Sequence, residues 1–307
     1  MDPALNDRVV LALQRNGDLS GLPLASVDGR LSCRGLKLAP PKPTGRSWLG
    51  GLFVGVEKQT ILSGVRVRDI DFSEAILDSA IFDNCTFENC LFDRAKCRRW
   101  VVGASNFTMC RFLKSDLRGS GLGGVSKNSR SERNCYEDTQ FVDADLRDTA
   151  YLSAVFRRCT FESSRLDDVD FQGSAFENCR FVGRLRRVCF QKTAFGGEHL
   201  PCNAMKCIDF SEAYFEDVEF RRLDLDDVIF PKHPDFQVVT CWPHALDILT
   251  ARLSTWSDVG AREALAIVSH ARKWAGARQE RGVLNVREFR ELLGDARASE
   301  LLQGVIY

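Results

Sequence analysis

The chain has 307 residues, 44% of them hydrophobic, with 42 Lys and Arg balancing 42 Asp and Glu. That length and apolar content suit a folded chain with a sizeable core. Zero net charge excludes bulk attraction to nucleic acid or an anionic membrane, so any electrostatic recognition has to be local.

At the N-terminus, Asp2 is placed to cap and Pro3 to open a helix through about Arg15, with Leu5, Val9 and Leu13 on one stripe. The following DLSGLPLASVDGRLSCRGLKL alternates short apolar pieces with Gly and Asp turns. It predicts strands or one imperfect coil before a link at Pro40, Pro41 and Pro43. Residues 1–60 are read as an N-terminal cap.

From Ile70 the chain obeys a different rule. Ile70 to Phe92 reads IDFSE AILDS AIFDN CTFEN CLF, a five-residue period. A helix would carry this pattern around its whole circumference, and a simple strand would send alternate Phe to opposite faces. The centres of the fives run Leu62, Val67, Phe72, Leu77, Phe82 and onward to Leu122. They resume at Tyr136 through Phe181, then slip by one and run from Leu185, Phe190, Phe195 and Leu200 to Phe230. Of the chain's 21 Phe, only Phe53, Phe236 and Phe289 fall off this count. So short a unit cannot bury its own ring, and each centre has to stack on its equivalents in neighbouring units.

Two residues before each centre lies a small side chain, among them Ala75, Ala80, Cys85, Cys90, Cys110, Ser115, Ala144, Cys159 and Cys179. Trp100 breaks the rule and predicts a local bulge or an outward-turned ring. The twelve cysteines are absorbed largely as small apolar filler; no CxxC pair or Cys/His cluster has zinc spacing, so no metal site is expected. Thiols this numerous and closely spaced favour a reducing compartment.

Fives such as Ala75 to Ser79, Ala144 to Asp148 and Ala213 to Asp217 resemble the pentapeptide-repeat family, whose consensus is A(D/N)LXX with Leu or Phe at the centre. The resemblance covers about residues 62–230 and neither end. It implies an all-β fold, a right-handed quadrilateral β-helix in which each five makes one side of a square and four make a coil. About eight coils, stacked at ~4.8 Å, give a rod roughly 40 Å long.

The rod is placed at 61–231, with a loop at 123–134 where nothing fits the square. That loop carries Lys127, Arg130 and Arg133 as candidate partner-binding residues. If the loop only interrupts a corner, the residues after Leu77, Cys97, Leu117, Leu146 and Leu166 form the column Asp78, Arg98, Arg118, Arg147, Asp167. Its arginines are a second candidate surface for phosphate or an acidic protein. The slip near Gly183 brings Arg184, Arg186 and Arg187 together as a solvated basic edge. An acidic face is expected near the rod's end from Glu216, Asp217, Asp224, Asp226 and Asp227.

Pro231 and Pro234 end the repeat, and 232–307 reads as three or four short helices, a C-terminal cap or interaction module through which a homodimer could form. One stripe is Leu246, Leu249, Leu253 and Trp256, another Ala261, Leu265, Val268, Ala271 and Ala275, and Asn285 with Glu288 makes a capping box.

No enzyme is expected: His199, His233, His244 and His270 belong to no nucleophile or metal motif, and Cys241 near His244 reads as a loop pair. No cofactor is called for. The reading is a non-enzymatic rod that binds a protein partner of unknown identity, without direct nucleic-acid or membrane binding. As alternatives, the resemblance implies a DNA-mimicking, Qnr-like protein that protects DNA gyrase, or a secreted effector or toxin-neutralising immunity protein. With no signal segment and no apolar run of about eighteen residues, a cytoplasmic bacterial protein is expected. Export of an effector through a dedicated apparatus would leave no such mark and stays open.

Overall fold

The computed structural model describes residues 1–38, 60–124, 133–194, 204–276 and 279–305, together with the backbone of an antiparallel pair of strands, Lys42–Leu49 and Leu52–Lys58. Phe53's side chain, Phe195, His199 and Leu200 lie outside the described residues.

The described residues among 30–38 and 60–230 wind as a quadrilateral parallel β-helix. The fifth residue of nearly every five adopts the left-handed conformation, from Asp69, Glu74, Ser79 and Asn84 to Asp217 and Arg222. That residue turns the chain from one side of the square to the next. Asp, Asn and Gly take it at low cost, whereas Arg94, Met109 and Lys114 carry a penalty of roughly 1 kcal/mol each, which the stacked coils must offset.

The central residue of each five points inward and stacks on its equivalent one coil away. On the first face Val67 pairs with Phe87, then Phe107, Tyr136, Phe156, Phe176 and Met205 follow in register. The second face stacks Phe92 on Phe112, Phe141, Phe161 and Phe181, with centroids 4.8, 5.1, 4.9 and 4.7 Å apart and nearly parallel planes. The fourth does the same with Tyr151, Phe171, Phe190 and Phe220. Adjacent faces meet edge-on, as Phe156 meets Phe161 and Phe171. The third face is aliphatic: Leu77, Cys97, Leu117, Leu146, Leu166 and Leu185. Buried rings of this size contribute on the order of 2–3 kcal/mol each.

Trp100 is neither bulged nor turned outward. It is 1% exposed, its indole NH donates to the Leu77 carbonyl at 2.8 Å, and it packs on Phe82 at 4.7 Å. The centre in the same coil is Cys97 instead of Leu or Phe, and the volume this releases is where a ring can fit. Eleven described cysteines are free thiols, most of them buried. Burial pushes Cys97, Cys110 and Cys159 well above the ordinary thiol range, which makes them inert filler.

Both ends differ from expectation. The rod starts at Arg30, not at 61: Leu31 pairs with Ile70 and Lys37 with Ile76, so 30–38 form two sides of a first coil that Ile61–Arg68 completes. Helix α1, Pro3–Arg15, lies over this coil with Val9 and Leu13 buried, and Asp2 caps it by accepting from Leu5 N at 3.1 Å. Asn6 bonds both the NH and the carbonyl of Lys37, which satisfies an edge that would otherwise be open. Later, Phe176 pairs with Met205 and Phe190 with Phe220.

The C-terminal region is more than helices. Phe236–Thr240 pairs antiparallel with Arg281–Asn285, and around this ladder pack α2 (Trp242–Leu253), α3 (Val259–Trp274), α4 (Val286–Leu293) and α5 (Asp295–Leu302). They share a second core that includes Leu246, Leu249, Val268, Phe289 and Leu301. Asn285 does cap α4, accepting from Glu288 N at 3.3 Å. Arg281 donates to the carbonyls of Leu225 and Asp226, and Phe236 joins the rod's core, so the module closes the last coil.

Phe156→Asp, which places a charge in a wholly buried ring stack, should abolish cooperative folding, while Asp148→Ala, at an exposed corner with φ +57°, should cost about 1 kcal/mol. Asp148→Asn should cost less than Asp148→Ala. Thermal melts of the three variants check the register, because a shifted one would reverse the order.

Candidate functional site

The third face is where sequence and structure place the most organised charge. Its strands lie one coil apart, so the residues flanking each buried Leu form two parallel columns. The column after the centre holds Arg98, Arg118 and Arg147, as the spacing predicts. The column before it holds Asp116 and Asp145, each bridged to the next coil. The two columns interlock. Arg98 reaches Asp78 at 2.6 Å with Asp116 at 3.9 Å; Arg118 grips Asp116 through two nitrogens at 2.8 and 2.7 Å and lies 3.5 Å from Asp145. Arg147 grips Asp145 in the same way at 2.8 and 2.7 Å, and Arg165 approaches Asp145 at 3.6 Å. Arg186 with Asp167 and Arg184 with Glu216, at 2.8 Å, extend the ladder towards the rod's end.

The aspartate column is the feature of this face that sequence reasoning missed. Its signal was present one residue before each centre, at Asp116 and Asp145, but only the residue after the centre was placed on the face. The arginines are consequently a paired, half-buried lattice and not a bare cationic stripe. Hydrogen bonds from Arg118 hold the Asp116 carboxyl below the ordinary carboxylate range.

The loop candidates divide. Lys127 and Arg130 lie outside the described residues. Arg133 does not stand clear of the rod: its guanidinium donates to the carbonyls of Ser153, Ala154 and Gly173, the last at 2.8 Å. Neighbouring Asn134 is buried in a position where the square expects a small residue, and it bonds the carbonyls of Val102 and Leu122 and the NH of Ser105. Both residues seal the corner where the coil is interrupted, so Arg133 is a clamp and not a partner-binding arm.

The acidic residues do not make one face. Glu216 and Asp217 follow Phe215 on the third face, whereas Asp224, Asp226 and Asp227 flank Leu225 on the opposite side of the square. Glu216 is paired with Arg184, and upstream Arg180 holds Asp209 and Glu212. Asp224, Asp226 and Asp227 are exposed. Among the described residues no group of His, Cys, Asp and Glu could hold a metal ion, and no helix is long and apolar enough to cross a membrane.

A square parallel coil with a left-handed corner every fifth residue defines a solenoid of five-residue repeats. The family model for pentapeptide repeats matches residues 59–97 and 139–183, in eight copies, so these segments are built of pentapeptide repeats. Among solved structures it is similar to HetL, a pentapeptide repeat protein involved in heterocyst differentiation regulation from the cyanobacterium Nostoc sp. strain PCC 7120. That alignment covers 57% of this chain and 90% of HetL at 10% identity and a TM-score of 0.36. Full-length QnrB1, a plasmid-mediated fluoroquinolone resistance protein, aligns over 56% of this chain and 78% of its own at 17% identity and a TM-score of 0.19. Rfr23 from the cyanobacterium Cyanothece 51142 aligns over 55% and 63% at 9% identity and a TM-score of 0.13. Superpositions this loose carry no argument about function. A search of curated protein sequences gives no significant match.

Two predictions follow from the bonding. Arg133→Ala strips three carbonyls of their donor and should lower stability by about 2 kcal/mol in denaturant titration, with Arg133→Lys recovering little because it lacks the fork. Asp116 has its carboxyl depressed below its ordinary 3.8 in the folded state, so its contribution is present above that pH and lost as pH falls through the lower folded value. Asp116→Asn should therefore melt below the parent at pH 7, by no more than about 3 °C for so exposed a pair, and the two melting curves should converge by pH 2.

Proposed function

We propose that this protein is a non-enzymatic binding rod whose third face docks a protein partner. The observation that supports this is the interlocked arginine and aspartate ladder from Asp78 to Arg147. A guanidinium carries five N–H donors, and Arg118 and Arg147 each commit two of their nitrogens to an aspartate, which fixes the side chain while leaving donors for a partner's carboxylates or carbonyls. The strands beneath are rigid, so the face is ordered before contact and little conformational entropy is lost on binding. From Asp78 to Glu216 it runs roughly 30 Å, at ~4.8 Å per coil. We place this activity in the cytoplasm, where the buried thiols stay reduced.

Gyrase protection by DNA mimicry would call for a run of unpaired carboxylates spaced like phosphates. Glu216, Asp209 and Glu212 are instead matched by arginines, and the free acids Asp224, Asp226 and Asp227 lie on the other side of the rod. The pairing therefore favours the third face over the acidic end, and the same experiment separates them. Crosslinking and pull-down from the native host should recover a partner with the parent protein. Arg118→Gln with Arg147→Gln should reduce its recovery at least tenfold in a chain that still melts cooperatively, while Asp224→Lys with Asp227→Lys should not. The reverse pattern would transfer recognition to the acidic end, and loss by neither pair would remove the third face as the docking surface.

A further inference from the structure

Where the C-terminal module meets the rod, it leaves a cleft of about 360 Å³. One wall is the last strand of the third and fourth faces, Asp217 to Arg221. The other is α3, the strand Gly282–Asn285 and the start of α4. A volume of this order at the junction of two cores, apolar with a few polar groups, has the character of a small-molecule site.

Of the charged groups on the lining, the donors Arg221 and His270 are turned to Glu219, while two carboxyls have no such partner. Glu219 is satisfied, bonded by Arg221 at 2.6 Å and facing His270 at 3.2 Å. Asp217 and Glu288 make no side-chain hydrogen bond or salt bridge among the described residues. Gln279 is 2% exposed; its Nε2 donates to the carbonyls of Phe220 and Arg281 at 3.1 and 3.2 Å, and its Oε1 has no partner. Leaving a buried acceptor unbonded is costly, but this oxygen presents no surface to the cleft. The two carboxylates are acceptors only, so an anionic ligand is disfavoured at their end of the cleft. Partial burial raises both carboxyls above their ordinary range; Glu219 adds to this at Asp217, where Arg187 and His270 offset part of it, and Asp217 adds to it at Glu288. A positive charge between them would relieve that repulsion. The donor set does not qualify as a metal site among the described residues. Phe220, Trp242, Ile267 and Val283 supply apolar walls.

We propose that this cleft binds a small organic ammonium ion with an apolar body, its N–H donors directed to Asp217 and Glu288 and its body held between the rod and α3. Neither the family fold nor the third-face reading requires such a site, and its test is independent of any protein partner.

Isothermal titration of the full chain with three molecules of one shape separates the chemistry: tryptamine, which is protonated at pH 7, neutral tryptophol, and indole-3-propionate. Tryptamine should bind at one site at least tenfold more tightly than tryptophol, and indole-3-propionate should not bind. Asp217→Asn with Glu288→Gln should erase the preference for tryptamine. Ala271→Trp, which fills the cleft without touching either carboxylate, should block tryptamine in a chain whose circular dichroism is unchanged. Equal affinity for tryptamine and tryptophol, no tryptamine binding at millimolar concentration, or undiminished binding in folded Ala271→Trp would each overturn the proposal.

Discussion

The rest of the structure depends on a backbone conformation. A left-handed residue at nearly every fifth described position bends the chain through the corners of the square, and that bend fixes what the other positions must be. Only two side chains per five can then point inward, and the space between opposite faces admits one large and one small. The rings of one coil lie flat on those of the next because the strands that carry them are hydrogen-bonded in register, as Phe161 is with Phe141 and Phe181. The same register aligns the outward residues. Charge columns on the third face are thus a by-product of the corner geometry, and their pairing keeps like charges from stacking uncompensated.

A solenoid has two open ends, and each is closed by a different device. At the start a single helix covers the first coil, with Asn6 acting as a short piece of strand against Lys37. At the end a module with its own core reaches back through Arg281 and Gln279 to bond the last carbonyls. The cleft lies beside this junction, where Phe236 and Val283 both pack on the rod's core and line the opening.

Much of this was legible in the sequence because the five-residue count is set by the square and not by tertiary accident. The departures share a physical origin: they arise where the count cannot report what stands opposite in space. Trp100 was read against its own position, whereas its fit is decided by Cys97 at a different centre of the coil. Asp116 and Asp145 precede their centres, so a column built from the following residues overlooked the partners of Arg118 and Arg147. Leu31 and Leu36 belong to a first coil whose other half, Ile61–Arg68, stands well along the chain, so the imperfect coil expected there was not joined to the repeat. The ladder of Phe236–Thr240 with Arg281–Asn285 joins segments too far apart for any sequence window.

The stacking rule also makes the rod's length change in quanta. Excising the twenty residues from one centre to its equivalent, for example from Phe141 to Phe161, returns the chain to the same face with the same partner above and below. Loss or duplication of a whole coil is therefore the mildest rearrangement open to such a gene, while loss of a single residue must be absorbed at a corner, as near Gly183, where one coil advances Phe171 to Phe190 with nineteen residues instead of twenty. The coil with Trp100 and Cys97 is the exception, since the wedge and the gap that receives it can be inherited only together.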